Sequence, residues 1–175
     1  MRQTIKRDAL IATVIGFIVV TLLLWLDLRR PLDTILCMAP LTIGILWMLG
    51  AMTLLGLPMN FFNIFVTTMI IGIGVDYGIH MMHRYREARD AQIERLQGGL
   101  EETGKAVVLA ALSTMVGFGS LSLSSYPGIR SMGVVAIMGA FATAFVAITL
   151  LPAYLSLRLQ RISASNGLRA TSERQ

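Results

Sequence analysis

The 175 residues hold few acids, ten Asp and Glu together against fifteen Lys and Arg. Charged residues make up only 14% of the chain, hydrophobic ones 55%, and the mean hydropathy is +0.69. That shortage of charge excludes an ordinary soluble domain, which carries about 25% charged residues. Cysteine occurs once, at Cys37 inside an apolar run, so there is no disulfide framework and the thiol reads as a small packed hydrophobe. No nucleophile–base set, phosphate-binding loop or metal cluster is visible, so neither an enzyme nor a bound cofactor or metal is expected. A net charge of +5 with a pI near 10 would suggest nucleic acid as the partner of a soluble protein. Here the basic residues gather beside apolar runs, and no nucleic-acid partner is expected.

What the chain does have is long apolar runs. Five windows, about 9–27, 34–57, 61–83, 106–126 and 131–156, each reach the roughly 20 residues needed to cross a bilayer. The expected fold is therefore all-α and membrane-integral: five transmembrane helices, with the lipid bilayer as solvent. Eleven of the fifteen Lys and Arg fall in 28–33, 84–105 and 157–175. The positive-inside rule then puts those stretches and the C-terminus in the cytoplasm and the N-terminus outside, in the inner (plasma) membrane.

Short connections with proline breakers at 29–33, 56–60 and 126–130 make consecutive spans antiparallel neighbours. The stretch 84–102 places Tyr85, Ala88, Ile93, Leu96 and Leu100 on one helical stripe, which reads as an amphipathic helix on the cytoplasmic surface. Residues 1–8 read as an external lead-in, 9–158 as the transmembrane domain and 159–175, polar and aperiodic, as a disordered tail.

Apart from Asp27 at an end, only Asp76 brings a formal charge into these windows. A carboxylate in hydrocarbon is costly as an unpaired anion, so it marks an ion or proton pathway by default. Asp76 lies sixteen residues past Asn60, about 24 Å along a helix axis at ~1.5 Å per residue. On a 3.6-residue period Gly72, Asp76, His80 and His83 share a face, and Tyr77 lies beside it as a hydrogen-bond partner. A buried polar lock between helices is the plainer alternative for Asp76, and a packed histidine for His80. Gly74 and Gly78 give a small-residue face that admits a close helix, with Gly72 beside them. Such packing would shut lipid and most water away from Asp76. In the fourth window Ser113 and Thr114, followed by Gly117 and Gly119, should reach the depth of Asp76 on an antiparallel neighbour. Their alternative is bonding back to their own helix.

Asn60-Phe-Phe-Asn63, Gly72-Ile-Gly-Val-Asp-Tyr-Gly-Ile-His80, Arg84-Tyr-Arg-Glu87, Glu102-Thr-Gly-Lys-Ala106, Leu112-Ser-Thr114 with Gly117-Phe118, and Leu150-Leu-Pro-Ala153 occur in that order. Together they resemble the MMPL branch of the resistance-nodulation-division (RND) superfamily, over about residues 8–158. Members have two pseudo-symmetric halves, each of one helix, an external domain and five further helices. This chain resembles the five-helix block after the external domain of the second half, so half of an RND-type transmembrane bundle. The resemblance implies that Asp76 and Tyr77 match the acid–tyrosine pair of the proton relay. It also implies proton-driven export of lipidic or hydrophobic molecules, with the other half of the transporter as partner. His80 departs from the mycobacterial lipid exporters, so their substrates do not carry over.

Two alternatives stand beside the exporter. SecD and SecF protein-translocation subunits share the Gly-x-x-Val-Asp string but follow it with Ala-Asn, where this chain has Tyr77-Gly78. A sterol-sensing-like sensor or structural module would use Asp76 only as a lock between helices.

Overall fold

A computed structural model describes the backbone of residues 2–90 and 94–172, and the side chains of residues 7, 11–87 and 101–158. Its elements are α1 (Arg2–Leu28), α2 (Pro31–Leu54), α3 (Phe61–Asp90), α4 (Glu94–Gly119), a 3-10 turn (Ser120–Leu123) and α5 (Pro127–Ser172). Five of these helices carry stretches long and apolar enough to cross a membrane: Ile11–Leu28, Pro31–Leu54, Phe61–Glu87, Glu101–Leu123 and Pro127–Arg158. The chain is an all-α, multi-pass membrane protein.

Local chemistry sets the helix ends. Pro31 and Pro127 open α2 and α5, where their missing N–H groups cost nothing and their fixed φ suits the first turn. The Asn60 side-chain oxygen accepts the Asn63 N–H at 2.8 Å and caps α3. Gly56, at φ 64, turns the chain after α2 in a conformation that a side chain would strain.

The centre of the bundle is α2, α3 and α5. Half or more of the span residues are buried in α3 (50%) and α5 (56%), against 11% in α1 and 17% in α4. The peripheral helices take separate places: α1 packs on α2 and α3, α4 packs on α3 and α5, and α1 and α4 do not meet among the described residues. One strip of α3 is therefore left uncovered between them.

Small residues let the central helices approach. A Cβ on Gly78 would run into the Cys37 carbonyl oxygen of α2, and one on Gly44 would stand 2.7 Å from the Thr143 Cα of α5. Such backbone-to-backbone contact is the usual way helices associate in lipid, where burying apolar surface brings little gain.

Asn63 locks one end. Fully buried, it donates to the Pro58 carbonyl at 2.7 Å and accepts the Ser131 hydroxyl at 2.8 Å, tying α3 to the preceding loop and to α5. At the opposite, basic end Arg158 pairs with Asp33, His83 with Asp27, and Arg86 donates to the Leu28 carbonyl.

Three expectations need correction. Among the described residues no separate amphipathic helix occupies 84–102: α3 runs on to Asp90 and α4 already begins at Glu94. Without Pro in that stretch, nothing removes backbone donors and both ladders extend past the apolar windows. Tyr85 of the expected stripe is buried against the bundle core, while the side chains of Ala88, Ile93, Leu96 and Leu100 lie outside the described residues. The tail expected to be disordered from 159 continues α5 as far as Ser172, again with no proline after Pro152 to stop it; 173–175 lie outside the described residues. Residues 2–8 of the lead-in likewise belong to α1.

Candidate functional site

The uncovered strip of α3 carries the candidate site. Phe65, Gly72, Asp76 and His80 recur at helical spacing and all are exposed, whereas Val75, Tyr77 and Gly78 turn inward. Gly72 has no atom of another residue near enough to touch an added Cβ. The close helix packing expected around Asp76 is thus present on the opposite side of α3, through Gly74 and Gly78, and not over the carboxylate itself. The reason is azimuth: Gly74 and Gly78 point at α2 and α5, about half a turn from the strip that holds Asp76.

Beside the strip, α3 and α4 diverge into a cleft of about 570 Å³ lined by Asp76, Tyr77, His80 and Arg84 from α3 and by Glu102, Ala106, Ala110 and Thr114 from α4, among others. It runs two helical turns from Asp76 to Arg84, toward the basic end of the bundle. Tyr77 is 3% exposed, packed among Val107, Ala111, Ala144 and Ala147. Its hydroxyl makes no hydrogen bond of good geometry, although the Thr114 side chain stands within interacting reach. The Thr114 hydroxyl donates instead to the Ala110 carbonyl of its own helix at 3.0 Å. Short side-chain rotations would exchange that bond for one to Tyr77, because a hydroxyl carries both a donor and acceptors.

The structure brings Asp76, Tyr77, His80 and Thr114 to one cleft. Ser113, expected with Thr114, lies about 100° around α4 on its exposed side and does not line the cleft. His83 also leaves the file, since its Nε2 pairs with Asp27 Oδ2 of α1 at 2.9 Å. Among the fourth-window glycines, Gly119 would meet Ile137 at 3.0 Å, and Gly117 has open space. No hydrogen bond or ion pair joins Asp76 to His80 among the described residues.

Asp33 falls in the 29–33 connection of the sequence, and its burial is not legible there. It is 1% exposed, paired with Arg158 at 2.8 Å, and its second oxygen is buried without a partner, as is the Tyr85 hydroxyl. The available signal was an acid in the first turn of a helix after Pro31, with a lone arginine closing the last span.

The chain is a multi-pass helical bundle that carries the Asp76 carboxylate on a mid-span face of α3 left exposed by the described helices. The sequence matches the MMPL family over residues 1–173, and the chain belongs to that family. It is 33% identical over 93% of its length to a membrane protein of Methanocaldococcus jannaschii, of which it covers 42%. Over 75% of its length it is 35% identical to the hopanoid transporter HpnN of Rhodopseudomonas palustris, covering 14% of that protein. Over 51% it is 30% identical to the apo-petrobactin exporter of Bacillus anthracis, covering 12%. The chain therefore spans less than half the length of these relatives.

Proposed function

We propose that this chain is the transmembrane part of an exporter of lipids or other hydrophobic compounds, driven by the proton motive force, with Asp76 as the carboxylate that takes up and releases the proton. The observation that carries this is the position of Asp76. It stands at mid-span on a strip of α3 that no described helix covers, with Tyr77, Thr114 and His80 along the adjoining cleft. A charge on that strip is expensive in lipid, so the strip is to be covered by protein, and the other transmembrane half of the transporter is the fitting occupant. Neutralisation by a proton and release of that proton then alter how the two halves sit against each other. Relatives named as a hopanoid transporter and an apo-petrobactin exporter support export, and the first supports a lipidic cargo. The basic end faces the cytoplasm of the inner-membrane cell side, in keeping with the positive-inside rule.

Efflux from cells or vesicles carrying the whole transporter, driven by an imposed pH gradient, tests this. Asp76→Asn keeps the shape and fixes the neutral state, so proton-driven efflux should vanish while the protein still inserts. Tyr77→Phe should slow efflux without abolishing it. Normal efflux by Asp76→Asn would refute the proposal.

A further inference from the structure

The α3–α4 cleft runs from Asp76 toward the basic end of the bundle, and one ion pair spans it there. Arg84 and Glu102 both line it, Arg84 two turns from Asp76 and Glu102 across from it on α4. Arg84 Nη2 lies 3.5 Å from Glu102 Oε2, while its Nη1 holds Glu87 Oε2 of its own helix at 2.9 Å. One guanidinium thus has two carboxylates, a tight one on α3 and a loose one across the cleft.

We infer that Arg84 and Glu102 form the gate of the cytoplasmic half-channel through which a proton leaves Asp76, with Arg84 shared between Glu102 in the closed state and Glu87 in the open one. This rests on the proton-export reading of Asp76. When Arg84 bridges to Glu102, the two side chains span the cleft at that end and the guanidinium occupies the carboxylate that would otherwise receive a proton. When Arg84 swings fully to Glu87, that charge withdraws to one side and leaves the Glu102 carboxylate free to accept a proton. The swing is cheap because the cross-cleft contact is long and Glu102 is 76% exposed.

Among the described residues, the other charged groups nearby are occupied elsewhere or lie further in. On α3 the inner groups are Asp76, Tyr77 and His80, with His80 one turn from each of Asp76 and Arg84, where it can hold a proton in transit. On α4, Lys105 is held by Glu101 at 2.8 Å, and both line a separate apolar crevice with Met81 and Pro152. On α1, Asp27 binds His83, outside the cleft lining. From α5, Arg158 is taken by Asp33. Among the described residues, Arg84 is the cation that lines the cleft, and Glu102 is the carboxylate that faces it from α4.

The test uses the whole transporter in inverted vesicles, with Cys37→Ser as background and a membrane-impermeant thiol reagent outside. Single cysteines at Ala106 and Ala110, both exposed and lining the cleft, report whether water reaches it, because only a hydrated thiol ionises and reacts. Val116, 74% exposed but off the cleft, is the control. Labelling of Ala106→Cys and Ala110→Cys but not Val116→Cys is expected. It should become at least about threefold faster in both Arg84→Gln and Glu102→Gln, since either removes the cross-cleft contact. The double exchange Arg84→Glu with Glu102→Arg should restore the slower rate. Absence of labelling at both cleft positions, or rates indifferent to both gate variants, would overturn the inference. These readouts do not depend on transport: a labelled, gated cleft together with normal efflux by Asp76→Asn would sink the proton role of Asp76 and leave the Arg84–Glu102 closure of the cleft standing.

Discussion

Arg158 holds Asp33 at 2.8 Å across 125 residues of sequence, and the carboxylate it holds is almost fully buried. The pair ties the first turn of α2 to the point where α5 leaves its apolar stretch, and Tyr85 of α3 adds its hydroxyl to the same buried layer. Removing only the cation leaves an unpaired buried anion, a worse state than removing both groups. Arg158→Ala should therefore destabilise the bundle by about 3 kcal/mol, moderated by the partial exposure of the arginine. The double change Asp33→Leu with Arg158→Met should recover most of that loss. Thermal unfolding of the whole protein in detergent, followed by tryptophan fluorescence, measures it. Equal stability of Arg158→Ala and the parent would show the pair to be ornamental.

The glycines divide into two kinds with opposite expectations. Gly78 meets the Cys37 backbone, so Gly78→Val must push α2 and α3 apart and should cost about 3 kcal/mol or more of stability. Gly72 faces open space within this chain, so Gly72→Val should fold normally yet weaken association with whatever covers the strip. Expression level and unfolding temperature read the first effect, and co-purification of the separately expressed halves reads the second. A Gly72→Val protein that fails to fold would mean the strip is already packed.

Orientation is tested by two exposed positions at opposite ends of the bundle. Ser125, between the 3-10 turn and α5, should be labelled from outside the cell as Ser125→Cys in a Cys37→Ser background. Glu101→Cys, near the start of the α4 span, should be labelled only after the membrane is opened. The reverse pattern would invert the topology and place the cleft mouth outside.

Much of this was legible in the sequence, for a physical reason. Hydrophobic runs of bilayer length report spans directly, and the spacing of Gly72, Asp76 and His80 reports a shared face because the helical period is fixed. Depth was legible too, which is how Thr114 could be matched to Asp76. Azimuth was not: Ser113 and Thr114 sit at nearly the same depth, and only the packing of α4 on α3 and α5 decides which of them meets the cleft. Long-range pairing was equally hidden. Nothing local to Asp33 points to Arg158, and nothing local to His83 says that Asp27 of α1 will take it away from the Asp76 file. The helix ends around 84–102 were missed because polarity there suggested a break, whereas backbone hydrogen bonding in water continues regardless of whether the side chains are apolar.

The central claim is that the charge state of Asp76 couples proton movement to export, and coupling is reciprocal. In proteoliposomes of the whole transporter with no imposed gradient, an outward substrate gradient should drive protons inward, recorded by a trapped pH dye, and Asp76→Asn should abolish that proton flux. Substrate-driven proton flux that persists in Asp76→Asn, with insertion and folding intact, would contradict the account.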